Sequence, residues 1–270
     1  MIQTMQICTN DFEKKMNTVI NLLSVTPMRK EPAHRSEMVS QLLFGEYAQV
    51  LEEQEHFVRI KCLYDGYEGW VQANQLTIAG EILTTATYMS NWYGDVEMAG
   101  KKIHAPMCSP VYLKEGNVCF GKNEIRYVSV DHTCFWNSTE KKFSKDNLEL
   151  IYQKFLNSPY LWGGKSVFGI DCSGFVQQVF KMFGVKLLRD AYLQAGQGVE
   201  VANLNESQIG DLAFFQNEKG KITHVGMVLD GNQIVHASGN VRIDTIDEEG
   251  IVNSETGKRT HQLCLIRRML

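Results

Sequence analysis

Tyr160-Leu161-Trp162-Gly163-Gly164 and, a few residues on, Asp171-Cys172-Ser173-Gly174-Phe175 decide the reading of this chain. A glycine-rich turn delivers one cysteine to the start of an amphipathic helix. Behind Cys172, apolar side chains recur at Phe175, Val176, Val179, Phe180 and Phe183, which is helical spacing, and Gly184 supplies a stop. A thiol in the first turn of a helix meets unpaired N–H groups and the positive end of the dipole, and both favour the thiolate that attacks carbonyls. Two histidines follow, in Thr223-His224-Val225-Gly226-Met227-Val228 and in Ile234-Val235-His236-Ala237-Ser238. A nucleophile, a base and a group that orients the base are the parts of covalent amide hydrolysis.

The two histidines can be placed by counting. They lie on consecutive strands joined at Asp230-Gly231-Asn232. If all three are loop residues, Leu229 pairs with Gln233, and His236 faces Gly226, diagonal to His224 on the same sheet face. A two-residue loop would turn one histidine away. Gly231 suits the left-handed position that three-residue loops need.

Y-L-W-G-G, D-C-S-G-F, G-D-L-A-F-F (from Gly210 to Phe215), H-V-G-M-V and I-V-H-A-S stand in an order that resembles the NlpC-type cell-wall cysteine peptidases, a branch of the papain-like fold. The resemblance implies Cys172 as nucleophile, His224 as base and His236 as the orienting third residue. It also implies that Asp171, Ser173 and Tyr160 line the substrate site, Tyr160 as a phenolic donor to the oxyanion. Arg189-Asp190-Ala191-Tyr192-Leu193-Gln194 matches a similar run in the family and implies part of the substrate wall. Each residue also has a plainer reading. Cysteines are commonly buried and structural. His224 taken alone reads as a sheet histidine, and Asp171 and Ser173 are helix-capping types.

Composition narrows the classes. The chain has 270 residues, 44% hydrophobic, with 27 basic and 31 acidic residues and a net charge of −4, which excludes a broad basic nucleic-acid surface. No apolar run is long enough to span a bilayer, so no membrane partner is expected. Residues 1–10 lack a basic start and an apolar core segment, so no leader is expected. Seven scattered cysteines without C-x-x-C spacing fit neither a disulfide framework nor a zinc site. The cytoplasm is the expected compartment. No cofactor and no metal is expected.

Three regions follow along the chain: 1–80, 81–144 and 145–270. The first opens with an expected helix over 12–23, then strands over 37–43, 47–52, 56–62 and 69–71 with turns at Phe44-Gly45-Glu46 and Asp65-Gly66. G-E-Y-A-Q-V-L-E-E, F-V-R-I-K and D-G-Y-E-G-W-V resemble a bacterial SH3-like domain, which implies that Trp70 packs into the barrel. The second region is read as a degenerate SH3-like barrel, with strands over 118–120 and 125–130. The third begins with a helix over 145–156 and ends in strands over 211–216, 222–229, 233–237, 241–246 and 262–268. The fold class is therefore α+β: a papain-like catalytic domain, helices on an antiparallel sheet, after small SH3-like β-barrels.

This order also resembles the γ-D-glutamyl-L-diamino acid endopeptidases of the dipeptidyl-peptidase VI type. These cut short peptidoglycan peptides that carry a free N-terminal L-alanine, and the likeness implies such a peptide as the partner. S-E-M-V-S-Q-L-L-F-G-E and Y-D-G-Y-E-G-W carry the likeness, with Glu37 and Tyr67 as the implied amine contacts. A solvated carboxylate and a barrel tyrosine are the equal alternatives for those two. The rival functions are a wall-fragment binding protein with a dead peptidase domain, and an amidase or acyltransferase on the same fold.

Overall fold

Alternation of apolar and polar residues builds the N-terminal half. In β5 (Phe57–Cys62) Val58, Ile60 and Cys62 turn inward while Arg59 and Lys61 face solvent. The computed structural model describes residues 17–112, 118–120, 123–127 and 134–270. The chain divides into two compact units, Met1–Ser138 and Thr139–Leu270.

The first unit opens with β1 (Thr18–Ile20), β2 (Val25–Arg29), β3 (Met38–Leu43) and β4 (Tyr47–Gln54), followed by β5, β6 (Glu68–Gln72) and β7 (Thr77–Ile78). They form a seven-stranded antiparallel sheet in the order β3-β2-β6-β5-β4-β1-β7. Its core is Val19, Met28, Leu42, Ala48, Val58, Ile60, Cys62 and Val71. The expected helix over 12–23 is corrected where it is described: Thr18–Ile20 is a strand paired with Tyr47, Ala48 and Gln49. Val19 and Ile20 are β-branched and gain a sheet partner, which outweighs a helical pattern. Residues 12–16 lie outside the described residues. Trp70 is corrected too. Strand alternation buries Gly69 and Val71, and Trp70, one residue out of phase, is only half-buried.

The rest of this unit holds β8 (Thr87–Met89), β9 (Tyr93–Met98), β10 (Lys101–Pro106), β11 (Val118–Phe120), β12 (Asn123–Tyr127) and β13 (Phe135–Asn137). A four-stranded sheet runs β10-β9-β12-β11, and β13 pairs with β8. Part of the strand expected over 125–130, residues 128–130, lies outside the described residues. Ile20, Leu22, Phe44 and Tyr47 of the first barrel share a second core with Met89, Val96, Ala105, Val111 and Tyr112. The Tyr112 hydroxyl donates to the Gly45 carbonyl at 3.0 Å, closing that seam.

The second unit begins with α1 (Lys145–Tyr152), capped by the Ser144 hydroxyl, which accepts from the Asn147 N–H. A short hairpin, β14 (Lys165–Ser166) and β15 (Gly169–Ile170), precedes α2 (Cys172–Lys181) and the short α3 (Ala191–Gln194). Gly184, with φ at +75°, lies just beyond α2 and takes the left-handed conformation of a helix stop. Then come β16 (Val199–Val201), β17 (Leu212–Gln216), β18 (Ile222–Leu229), β19 (Gln233–Ser238), β20 (Asn240–Asp247), β21 (Gly250–Val252) and β22 (Arg259–Arg268). Seven antiparallel strands run β16-β22-β17-β18-β19-β20-β21. Helix α2 lies against β18 and β19. Among the described residues no helix is long and apolar enough to cross a membrane.

The β18–β19 register is the one counted from the sequence. Leu229 pairs with Gln233 and Gly226 with His236, across the loop Asp230-Gly231-Asn232. Gly231 and Asn232 both have positive φ, at 69° and 59°. Gly226 must lack a side chain here: a Cβ would sit 2.7 Å from Ile234 Cδ1 and 2.9 Å from His236 Cβ. We therefore expect Gly226→Ala to destabilise the protein by about 1–3 kcal/mol through overpacking, measured by urea unfolding. Wild-type stability in the variant would refute the close approach.

Candidate active site

Cys172 opens α2 because Asp171 caps it, accepting from the Gly174 N–H at 2.7 Å. The loop ahead of the helix is drawn onto the same carboxylate, with the Gly163 N–H donating to Asp171 Oδ2 at 2.8 Å. Both flanking glycines are sterically required. A Cβ on Gly174 would lie 2.3 Å from the Gly164 carbonyl oxygen, and one on Gly164 would lie 2.3 Å from that of Gly169.

Arg189 completes this knot. It is 1% exposed, and its Nη2 donates to Asp171 Oδ2 at 2.6 Å. Its Nη1 donates to Asp171 Oδ1 at 3.0 Å and to the Ser173 hydroxyl at 2.9 Å. The Ser173 hydroxyl in turn donates to Asp171 Oδ1 at 3.2 Å. Both carboxylate oxygens of Asp171 are thus occupied by donors from this chain, and its side chain is buried. Asp171, Ser173 and Arg189, expected to line the substrate site, are joined to one another as well. These three side chains point into the protein and hold the nucleophile helix against the glycine loop. Gln194 reinforces the knot, its Nε2 donating to the Ser173 carbonyl at 3.0 Å.

The Cys172 thiol lies near the backbone N–H groups of Val225 and Ser173. The thiol therefore sits beside the residue that follows His224. Burial pushes the thiol up to about 12, Asp171 adds to the rise, and the two N–H groups and Arg189 pull the other way. Burial likewise holds His224 well below its ordinary value, with His236 and His261 adding to it. The helix-terminus argument for a free thiolate is therefore overridden by desolvation. The charges of thiolate and imidazolium offset one another, so moving one proton from Cys172 to His224 leaves the buried pair neutral overall.

The histidines form a chain. His224 Nε2 lies 2.8 Å from His236 Nδ1, and His236 Nε2 lies 3.1 Å from Asp244 Oδ2. His224, His236 and Asp244 are 5%, 0% and 2% exposed. Burial pushes the Asp244 carboxyl up, but hydrogen bonds from His236 and the Ser254 N–H, with Arg242 beside it, outweigh this and hold it at about 2. His261 stacks on His224 with ring centroids 4.1 Å apart. Tyr160 reaches the site on a segment whose backbone runs beside β20 and β15, donating its N–H to the Gly239 carbonyl at 2.8 Å. Burial raises its phenol, and Cys172 and Asp171 raise it further, so it remains a donor.

Cys172, His224, His236, Asp171, Ser173 and Tyr160 are thus gathered in the second unit. Glu37 and Tyr67 belong to the first. Glu37 lies 3.6 Å from the Lys30 ammonium with its side chain 42% exposed, and Tyr67 packs partly buried on the barrel core. Sequence reasoning missed Asp244 and His261. Asp244 had a signal: on β20 it shares a sheet face with Ile246, which is buried, and an aspartate on that face needs a partner. His261 had a weaker one: it alternates with exposed Thr260 and Gln262 just ahead of Leu263, but lies one residue before the strand expected over 262–268. Among the described residues no cluster suited to a metal ion occurs.

A cysteine at the start of a helix packed on the antiparallel strands that carry two hydrogen-bonded histidines is the arrangement of the second unit. The profile of the NlpC/P60 family matches residues 157–260, and that of the bacterial dipeptidyl-peptidase SH3 domain matches residues 28–76. A γ-D-glutamyl-L-lysine dipeptidyl-peptidase of Bacillus subtilis is 31% identical over 85% of this chain and 80% of its own length. Dipeptidyl-peptidase 6 of Lysinibacillus sphaericus is 26% identical over 87% of this chain and 93% of its own. The crystal structure of an NlpC/P60 family protein from Bacillus cereus superposes with a TM-score of 0.78 at 20% identity, covering 94% of this chain and 99% of that one. The chain belongs to the NlpC/P60 family of cysteine peptidases.

The stacked histidines have a consequence for stability. Burial lowers His261 from 6.5 to about 4, with His236 adding to the shift and Asp244 opposing it. In that window the unfolded chain binds a proton that the folded protein excludes, so stability is lost as pH falls from 6.5 toward 4. His261→Phe keeps a ring against His224 and removes this proton. We expect a shallower acid loss in the variant, read from urea midpoints across the window. Parallel pH profiles would show that His261 carries no such linkage.

Proposed function

We propose that this protein is a thiol peptidase that cuts the γ-D-glutamyl–L-diamino acid bond of short peptidoglycan peptides bearing a free N-terminal L-alanine, in cell-wall turnover or recycling. The observation that carries the reading is Cys172 at the start of α2, a helix that lies against β18 and β19, with the buried His224–His236 contact on those two strands. The names of the relatives and the paired peptidase and SH3 profiles support the substrate class. A papain-like layout, α2 packed on β18 and β19, is the finer fold we assign. The SH3-like barrel and the degenerate barrel after it are read as accessory domains within the first unit.

In this reading Cys172 Sγ attacks the amide carbonyl carbon while its proton passes to His224 Nδ1. The oxyanion takes a hydrogen bond from the Tyr160 hydroxyl. Collapse breaks the C–N bond, the leaving amine takes the proton from His224, and a thioester remains. Water then attacks the thioester, His224 takes its proton, and Cys172 departs with a proton returned by His224. His236 orients His224 throughout. Glu37 and Tyr67 are assigned to the substrate ammonium, which needs acidic or phenolic partners when it leaves water. Asp171 and Ser173 act from behind, holding the helix. We also assign the protein to the cytoplasm; the free thiols of Cys62, Cys108, Cys134, Cys172 and Cys264 fit a reducing compartment.

Mass spectrometry of L-Ala-γ-D-Glu-diamino acid peptides tests this directly. Wild type should release the dipeptide L-Ala-D-Glu, Cys172→Ala should release none, and His224→Ala should lose about 100-fold or more. Intact peptide after prolonged incubation with wild type would overturn the reading. The amine contacts have their own test. N-acetylation of the peptide should lower kcat/KM sharply, and Glu37→Gln should weaken the preference for the free amine. Equal cleavage of both peptides would remove Glu37 and Tyr67 from the site.

A further inference from the structure

Cys172, His224 and His236 account for bond making, but the buried contacts continue one residue further. Asp244 lies at the far end of the chain of hydrogen bonds, and its chemistry is one-sided. An ionised carboxylate only accepts. The Ser254 N–H donates to its Oδ1 at 2.9 Å, and Arg242 Nε straddles the carboxylate, 3.2 Å from Oδ1 and 3.1 Å from Oδ2. The other oxygen, Oδ2, faces His236 Nε2 at 3.1 Å. His236 must therefore carry its proton on Nε2.

The direction of every bond upstream follows. A neutral His236 protonated on Nε2 has a bare Nδ1, which accepts. The 2.8 Å contact is then a donation from His224 Nε2–H to His236 Nδ1. His224 is left with a lone pair on Nδ1, the nitrogen free to take the thiol proton. A doubly protonated His236 would reverse this, but Arg242 already supplies a countercharge to Asp244. A second cation, on a ring that is 0% exposed, would have to share the one buried carboxylate with Arg242, because Glu255, the other partner of Arg242, lies in solvent. The charged and titratable groups around Asp244 are His236 on β19 and Arg242 on its own strand. His261 and His224 lie beyond His236, and Glu255 pairs with Arg242 at 3.2 Å.

We propose that Asp244 is a positioning residue that sets the tautomers of His236 and His224, so that the relay delivers a basic Nδ1 to Cys172. The geometry makes the asparagine variant a sharp probe. In Asp244→Asn the amide oxygen stays at the Oδ1 position, where it accepts the Ser254 N–H, and Arg242 Nε, which in wild type shares both carboxylate oxygens, shifts onto that oxygen. The amide NH2 then occupies the Oδ2 position and donates to His236 Nε2. His236 is forced to carry its proton on Nδ1 and donate to His224 Nε2, and His224 carries its own proton on Nδ1. The base is thereby disabled with almost no change of shape. A wrong histidine tautomer in a serine triad costs about 10⁴ in kcat, and one residue further out we expect a loss of about 100-fold or more with KM little changed.

The tautomers themselves are the decisive readout. Long-range proton–nitrogen correlation spectra of ¹⁵N-histidine-labelled wild-type protein should show Nε2 protonated and Nδ1 bare on both His224 and His236. In Asp244→Asn both should switch, and alkylation of Cys172 by iodoacetamide near neutral pH should slow in parallel. The inference rests on the peptidase reading for its kinetic arm alone. Spectra and alkylation need no peptide, so wild type that fails to cut peptide would sink that reading and leave this one standing. A bare Nε2 on wild-type His236 overturns the proposal even if the variant does not fold. So does a folded asparagine variant with unchanged tautomers or wild-type alkylation.

Discussion

The buried ion pair between Arg189 and Asp171 holds the catalytic end of this protein together. Burying two charges is costly unless each is paired and its remaining lone pairs and protons are satisfied. Here the carboxylate also receives the N–H groups of Gly163 and Gly174, and the guanidinium also reaches Ser173. One side chain therefore caps the nucleophile helix, ties down the glycine loop and neutralises the arginine. Removing either partner of such a pair leaves an uncompensated buried charge, at about 3–5 kcal/mol. The thiol inherits its position from that knot, because Cys172 is the residue between Asp171 and Ser173.

The second constraint is strand parity. Successive side chains alternate faces, so polar groups can line up across strands only if every register agrees. His224, His236 and Asp244 sit on three neighbouring strands, each diagonal to the next. The Asp230-Gly231-Asn232 loop sets the first offset and the tight Gly239 turn between β19 and β20 sets the second. A one-residue slip in either hairpin would put one member of the chain on the wrong face. Desolvation then acts on all of them together. It disfavours each charge alone and favours a hydrogen-bonded line of neutral rings ending on a carboxylate.

The barrel unit follows other rules. Its seven-stranded sheet was readable from alternation, since β3, β4, β5 and β6 fall within a residue or two of the expected spans. The exceptions have physical causes. Thr18–Ile20 has an apolar pattern that suits either element, and the open edges of β4 and β7 decide it. The SH3-like resemblance implied that Trp70 packs inside, yet parity placed the smaller Val71 there.

What the sequence determined by itself is local and periodic. It placed Cys172 at a helix start, gave Gly231 to a three-residue loop, and set His224 and His236 on one sheet face. Each of these depends only on residue type and spacing within a short stretch. The roles of Asp171, Arg189, Asp244 and His261 were decided by tertiary structure. Arg189 is eighteen residues from Asp171, and nothing in its local run distinguishes a substrate wall from a buried clamp. Asp244 gains its meaning only when β20 pairs with β19. The thiol's acidity likewise follows burial, which is a property of the folded whole. Spacing states which side chains share a face, and only packing states which of them lose water, so the sequence places Cys172, His224 and His236 while the fold decides how deeply each is buried and what it bonds to.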